Sequence, residues 1–230
     1  MRSEHAPATE DRTTKARIRD AAITLFAEQG VAATSVRAIA AEADVSPALV
    51  IHHFRSKDAL RVACDQYMAD VLREQKTDAM RAGASFDMAA ALRTVRDGPP
   101  LMRYLARTLV DGSPHVAEMV DRMVDDGVKY TAEGVESGML LPTAYPYERT
   151  VVLTIWSLGA LVLHEHLERL IGVNLADWPG DDLAGAVRYI GPVFEIMSQG
   201  LVDPEIAAQM KAAFVKDDDA TTTDDEEDGS

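Results

Sequence analysis

The sequence predicts an all-α fold, a small three-helix helix-turn-helix head followed by a larger helical body, and three observations carry that expectation. Apolar residues recur at helical spacing almost throughout, with no period-2 strand pattern, internal repeat or glycine-rich phosphate loop. Thr34 or Ser35, then Ser46 and Ser56, stand as successive helix caps within one short stretch. At 230 residues, 47% of them hydrophobic, the chain is long enough for a head of about 60 residues and a body of about 150. The expected organisation is a flexible arm over 1–11, the head over 12–60, the body over 61–216 and an acidic tail over 217–230.

In the head, Ile18, Ala22, Leu25 and Phe26 make one face of a helix from about 13 to 28, which Gly30 ends. Thr34 or Ser35 caps a second helix reaching about 42, in which Val36, Ile39 and Ala40 recur at i, i+3 and i+4. Asp44 marks the turn, Ser46 is the next cap, and Pro47 occupies the first helical position, where a missing N–H costs nothing. Val31, Val36, Ile39, Val45, Val50, Phe54 and Leu60 then close a small core. Two short helices around a tight turn are the element that lays a helix in the DNA major groove.

Charge at first opposes DNA binding, since the formal net charge is −15. Its distribution resolves the conflict: residues 1–60 hold eight Lys/Arg and eight Asp/Glu, so the excess acid lies in the body and tail, eight of it within 217–228. The head is the part that DNA does not repel, with Arg12, Lys15, Arg17 and Arg19 as further basic contacts.

The segments LFAEQG (25–30), TSVRAIAAEADVS (34–46) and HFRSKDAL (53–60) resemble the TetR/AcrR family of bacterial transcription regulators. That resemblance implies base contacts from Ser46, Pro47, Ala48, Leu49 and His52, and phosphate contacts from Thr34, Ser35, Arg37, His53 and Lys57. Two residues depart from the family pattern. Ala48 stands where the family usually has Gly, and Ile51 replaces a Tyr that typically donates to a phosphate; Ile51 has no donor. The preferred DNA sequence should shift accordingly.

From Lys57 onward only helices are expected: 57 to about 82, 86–97, 100–111, one from Ser113-Pro114 to about Gly134 or Ser137, 148–171, 183–200 with a kink at Pro192, and 204–215, with a loop over 138–146. Val151, Ile155, Leu158 and Val162 on one apolar helix, and Val187, Ile190, Phe194 and Met197 on another, exceed what one small body covers. The resemblance implies that these pair with their twins. The expected assembly is a homodimer on double-stranded DNA, reading a palindromic operator with recognition helices about 34 Å apart.

The resemblance also places Met102, Tyr104, Leu105, Met119, Met123, Tyr130, Trp156 and His164 around a pocket for an apolar small-molecule effector, with Arg103, Arg107 or Glu165 available to orient a polar group. The function it implies is a ligand-responsive regulator, most simply a repressor released by its effector. An all-helical enzyme or an effector-free architectural protein are the competing readings, but no catalytic constellation can be assembled and no cofactor or metal is expected. His164 and Glu168 form the one metal-like i, i+4 pair, and two ligands do not make a site. A single cysteine, Cys64, excludes an internal disulfide, and a polar amino terminus shows no signal peptide, so the expected compartment is the cytoplasm. The longest apolar run, 151–163, falls short of the ~20 residues that a membrane span needs. The tail DDDATTTDDEEDGS can bury nothing and is expected to be disordered.

Overall fold

The computed structural model describes residues 6–85, 87, 99–111, 115–177, 183–210 and 212. In order the helices are α1 (Ala6–Gln29), α2 (Val36–Glu42), α3 (Pro47–Phe54), α4 (Lys57–Ala82), α5 (Leu101–Val110), α6 (His115–Glu136), α7 (Pro146–Val162), α8 (His164–Ile171) and α9 (Leu183–Gln199), with short 3-10 turns at Gly83–Ser85 and Leu175–Asp177. Residues 204–210 are also helical, and no strand occurs among the described residues. The expected helix over 86–97 and the acidic tail lie outside the described residues. So do residues 1–5 and the side chain of Arg12.

Two boundaries differ from expectation. Helix α1 begins at Ala6 instead of near residue 13, so 6–11 are helix where a flexible arm was expected. This first part carries no apolar repeat that periodicity could register, while Pro7 suits a first helical turn and its Ala and Glu are good helix formers. The single helix expected over 148–171 is two, α7 and α8, meeting at a bend of 71°. At the break the Leu163 carbonyl accepts from the His166 N–H at 2.9 Å, an i to i+3 turn that needs neither Pro nor Gly and so leaves no mark in the sequence.

Residues 1–183 form one compact unit and 184–230 another. In the first, α1 is the central rod. Ile18, Ala22, Ile23 and Phe26 are buried in a core shared with Ile39, Val50 and Phe54 of the head and with Leu60, Cys64 and Met68 of α4. Helix α5 closes the other side, where Tyr104 stacks on Phe26 with ring centroids 6.3 Å apart. The Tyr104 hydroxyl, itself buried, donates to the Asp65 carboxylate at 2.6 Å. One aromatic residue of α5 thus grips both α1 and α4, filling volume with its ring and satisfying a half-buried acid with its hydroxyl. Farther along, α6 packs on α4 and α7 on α6. In the second unit α9 runs through Pro192, which removes one helical hydrogen bond, and exposes Val187, Phe194, Ile196 and Met197.

No single helix among the described residues is long and apolar enough to cross a membrane.

Candidate nucleic-acid interface

The head is a helix-turn-helix, and each of its parts has a local cause. The Ser35 hydroxyl accepts from the Ala38 N–H at 3.1 Å and starts α2. The Ser46 hydroxyl accepts from the Leu49 N–H at 3.2 Å and starts α3, with Pro47 in the first turn. Between them Asp44 takes φ 52°, a left-handed conformation that the short polar Asp side chain tolerates. Arg17 of α1 fixes this turn from outside, donating to the carbonyls of Ala43 at 2.5 Å and Asp44 at 3.1 Å. The cation meets the carbonyl end of α2, where the helix dipole favours it.

Helix α3 buries Val50 and Phe54, one turn apart, and this fixes what it shows to solvent. Ala48, Ile51, His52 and Arg55 are all exposed and recur at i, i+3, i+4 and i+7, which is one face of the helix. Ser46 and Pro47 are exposed at its amino-terminal end, while Leu49 is half-buried to one side of that face. Ile51 is 42% exposed, so this apolar side chain stands on the outer surface where the family pattern has its Tyr. His52 and His53 meet edge to face at 5.5 Å, and His53 also lies 6.4 Å from Phe54, half-buried. Arg55, at the end of α3 with φ 67°, escaped the sequence reading, although its i+7 spacing from Ala48 would have identified it.

The expected phosphate contacts divide. Ser35 and Arg37 are exposed. Thr34 is not available: it is 1% exposed, and its hydroxyl donates to the carbonyls of Gly30 at 2.8 Å and Leu25 at 3.3 Å. A hydroxyl that ties off the end of α1 is no longer free to meet DNA, so that expectation is corrected. Lys57 has a structural role as well. Its ammonium donates to the carbonyls of Val31 at 2.8 Å and Thr34 at 3.0 Å, pinning the connection between α1 and α2 and leaving one of its three donors for another partner. Of the other basic residues, Arg19 pairs with Asp20 at 2.7 Å and lies 3.3 Å over the Tyr67 ring, and Lys15 sits 5.5 Å from the Phe54 ring centre.

The residues expected around an apolar pocket take different positions among the described residues. Tyr104, Leu105 and Met119 are buried in the core, and Met102 and Met123 are packed against it. Tyr130 is half-buried under Lys76, and Trp156 is exposed on α7. His164 lines a cleft of about 610 Å³ that opens at the joint between α1, α5, α8 and the turn Leu175–Asp177, together with Arg103, Arg107 and Glu165, the residues expected to orient a polar group. The walls of that cleft are largely charged. Helical periodicity reports which side chains face inward, but it cannot separate a filled core from a cavity, because both select the same residues.

The apolar surfaces of α7 and α9 also differ in detail from expectation. On α7 Ile155 and Val162 are exposed as expected, Val151 is half-buried, and Leu158 packs against the chain's own core. The open face is Val152, Ile155, Trp156, Gly159 and Leu163, with Val152 62% exposed. On α9 Val187, Phe194 and Met197 are exposed and Ile190 is half-buried.

Among the described residues no group of three or more His, Cys, Asp or Glu is placed to hold a metal ion, and Glu168 instead accepts from the Asn174 amide at 2.9 Å.

Known proteins show the same arrangement. The family described as "Bacterial regulatory proteins, tetR family" matches residues 18–64, and "Tetracyclin repressor-like, C-terminal domain" matches residues 97–203. The chain is 34% identical over 197 residues to the HTH-type transcriptional regulatory protein RaaS of Mycobacterium tuberculosis, covering 84% of this chain and 88% of that protein. It is 39% identical over 115 residues to an HTH-type transcriptional repressor of the same species, across 46% of this chain and 56% of the repressor. Among solved structures, the TetR family transcriptional regulator PfmR from Thermus thermophilus shares the fold with a TM-score of 0.51 at 20% identity, covering 81% of this chain and 96% of that one.

Proposed function

The chain belongs to the TetR family of DNA-binding transcriptional regulators, and on that premise we propose that α3 reads base edges through Ala48, Ile51 and His52 while Ser35, Arg37 and Arg55 meet phosphates. The observation that carries this reading is the exposed stripe of α3. Among the described residues nothing in the head covers it, Ser46 caps its amino-terminal end, and it presents a methyl group, an apolar chain, an imidazole and a guanidinium in one row. A methyl on Ala48 and the branched chain of Ile51 suit the thymine methyl, whereas His52 can donate or accept at a base edge.

Two copies acting together complete the reading. A single head reads too short a site to be selective, and the open apolar face of α7 suits a second copy. Gly159 supports this, because a Cβ built there meets nothing within 4 Å among the described residues. A glycine in a helix interior costs about 1 kcal/mol relative to Ala, and close approach of another helix would account for it. The dimer reads a palindromic operator in the cytoplasm as a repressor, and a small molecule bound in the body releases it by shifting the population of head positions.

Fluorescence anisotropy on duplex DNA tests the assignment. Arg37→Ala and Arg55→Ala weaken binding to all sequences and lower the salt slope by about one each, whereas His52→Ala changes sequence preference with the slope kept. Identical behaviour of the three variants would contradict the division of roles.

A further inference from the structure

We infer that the cleft at the joint of head and body is a binding site for a small organic cation that carries several N–H donors, such as an amine or guanidine. This rests on the reading above that the body senses a small molecule, and it replaces the apolar effector with a different chemistry. The cleft lies where α1 of the head meets α5 and α8 of the body, and its volume of about 610 Å³ suits a small metabolite.

Its charges decide the class. Arg103 and Asp177 neutralise each other, with the guanidinium Nε 2.9 Å from the carboxylate. The Asn174 amide adds a bond to the same carboxylate at 3.2 Å. Glu28, Asp111 and Glu165 also line the cleft, and Arg107 faces them; none of these four makes an ion pair among the described residues. Three carboxylates against one guanidinium leave the site short of positive charge. His164 adds a ring Nδ1 that is buried without a hydrogen-bond partner among the described residues, and a neutral imidazole can accept there. The unsatisfied groups are therefore mostly acceptors, and the complement to them is a cation rich in donors. Alanine and valine side chains, Ala106, Val110 and Val162 among them, offer apolar contact to its methylenes.

The position of Arg107 links this site to the head. Its guanidinium lies 3.1 Å from where a Cβ on Gly30 would stand, and its Nη1 reaches the Glu28 carbonyl at 3.4 Å, a long bond at the carbonyl end of α1. A cation held by Glu165 and Asp111 repels this guanidinium and offers its own donors to the same carbonyl. Occupancy thereby loosens the hold of α5 on α1, the helix that also clamps the turn before α3 through Arg17.

Calorimetric titration of the full chain with agmatine, which has a guanidinium and an ammonium, tests the site at about 0.15 M salt, where diffuse attraction to an acidic protein is screened. Glutarate serves as the anion of similar length. The expected result is one agmatine per chain, no glutarate binding, and about tenfold weaker binding in the double variant Asp111→Asn, Glu165→Gln. The double variant Asp121→Asn, Asp125→Asn removes the same charge from exposed positions of α6 and should bind as wild type. No binding, glutarate binding, or equal loss in both double variants would overturn the site. Agmatine binding that fails with Asp111→Asn, Glu165→Gln but leaves DNA affinity untouched would uphold the site and contradict the effector role of the body.

Discussion

Lys57 shows how one side chain is committed before DNA arrives. Its ammonium holds two carbonyls of the 31–34 connection, so Lys57→Ala should cost about 1 to 2 kcal/mol of stability in urea unfolding, with DNA affinity falling only in proportion to the misplaced head. A large affinity loss at unchanged stability would return the residue to the phosphate-contact class. Asp65 makes the complementary case for a half-buried acid. Burial raises its pKa above the usual carboxylate value, and the hydrogen bond from Tyr104 opposes the shift only in part. Folded Asp65 therefore binds its proton more tightly than unfolded Asp65, and its charged form costs stability at neutral pH. That cost fades as pH falls through the raised pKa and is gone below the unfolded value near 4. Asp65→Asn should accordingly raise Tm relative to wild type at pH 7 and give a smaller advantage at pH 4; an advantage that grows on acidification would reverse the sign of the shift. Beside it, burial pushes the Cys64 thiol up, which makes it a packing residue and not a reactive one.

At the scale of elements, two glycines of neighbouring helices predict opposite outcomes. A Cβ at Gly127 of α6 would stand 2.6 Å from the Thr150 Cγ2 of α7. Thr150 is 1% exposed and its hydroxyl is held by the Pro146 carbonyl at 2.8 Å, so it cannot step aside. Gly127→Ala should destabilise by about 1 to 3 kcal/mol despite better helix propensity. Gly159→Ala meets nothing among the described residues, so it should leave each subunit's fold intact and weaken only self-association, measured by sedimentation velocity across concentrations. Unchanged association would move the dimer contact away from α7. The elements themselves were legible in the sequence to the extent that chemistry marks them. Ser46, Pro47 and Ser56 announced α3 and the start of α4 as the structure has them, and of the two candidates Thr34 and Ser35 for the start of α2 the structure has Ser35 as the cap. The break at Leu163 was not legible, because a three-residue turn between leucine-rich helices leaves the apolar period intact. Nor was the burial of Thr34, whose partners on Gly30 and Leu25 come from a chain reversal that local pattern does not record.

For the whole molecule, the net charge of −15 and the head's equal count of acids and bases mean that DNA binding rests on placed side chains, with no general positive field to assist it. The fold class and the exposed side of α3 could be read in advance because helix caps and a buried Val50 and Phe54 determine which side of that helix is left outside. The charge arrangement of the cleft could not, since pairing such as Arg103 with Asp177 joins residues far apart in sequence. Presentation of this one face of α3 to DNA by two copies is best checked by selection from a random duplex pool. The expected result is a two-fold symmetric consensus with half-sites about one DNA turn apart, and an altered half-site when the pool is reselected with His52→Ala. Enrichment of an asymmetric site, or the same consensus from wild type and His52→Ala, would contradict it.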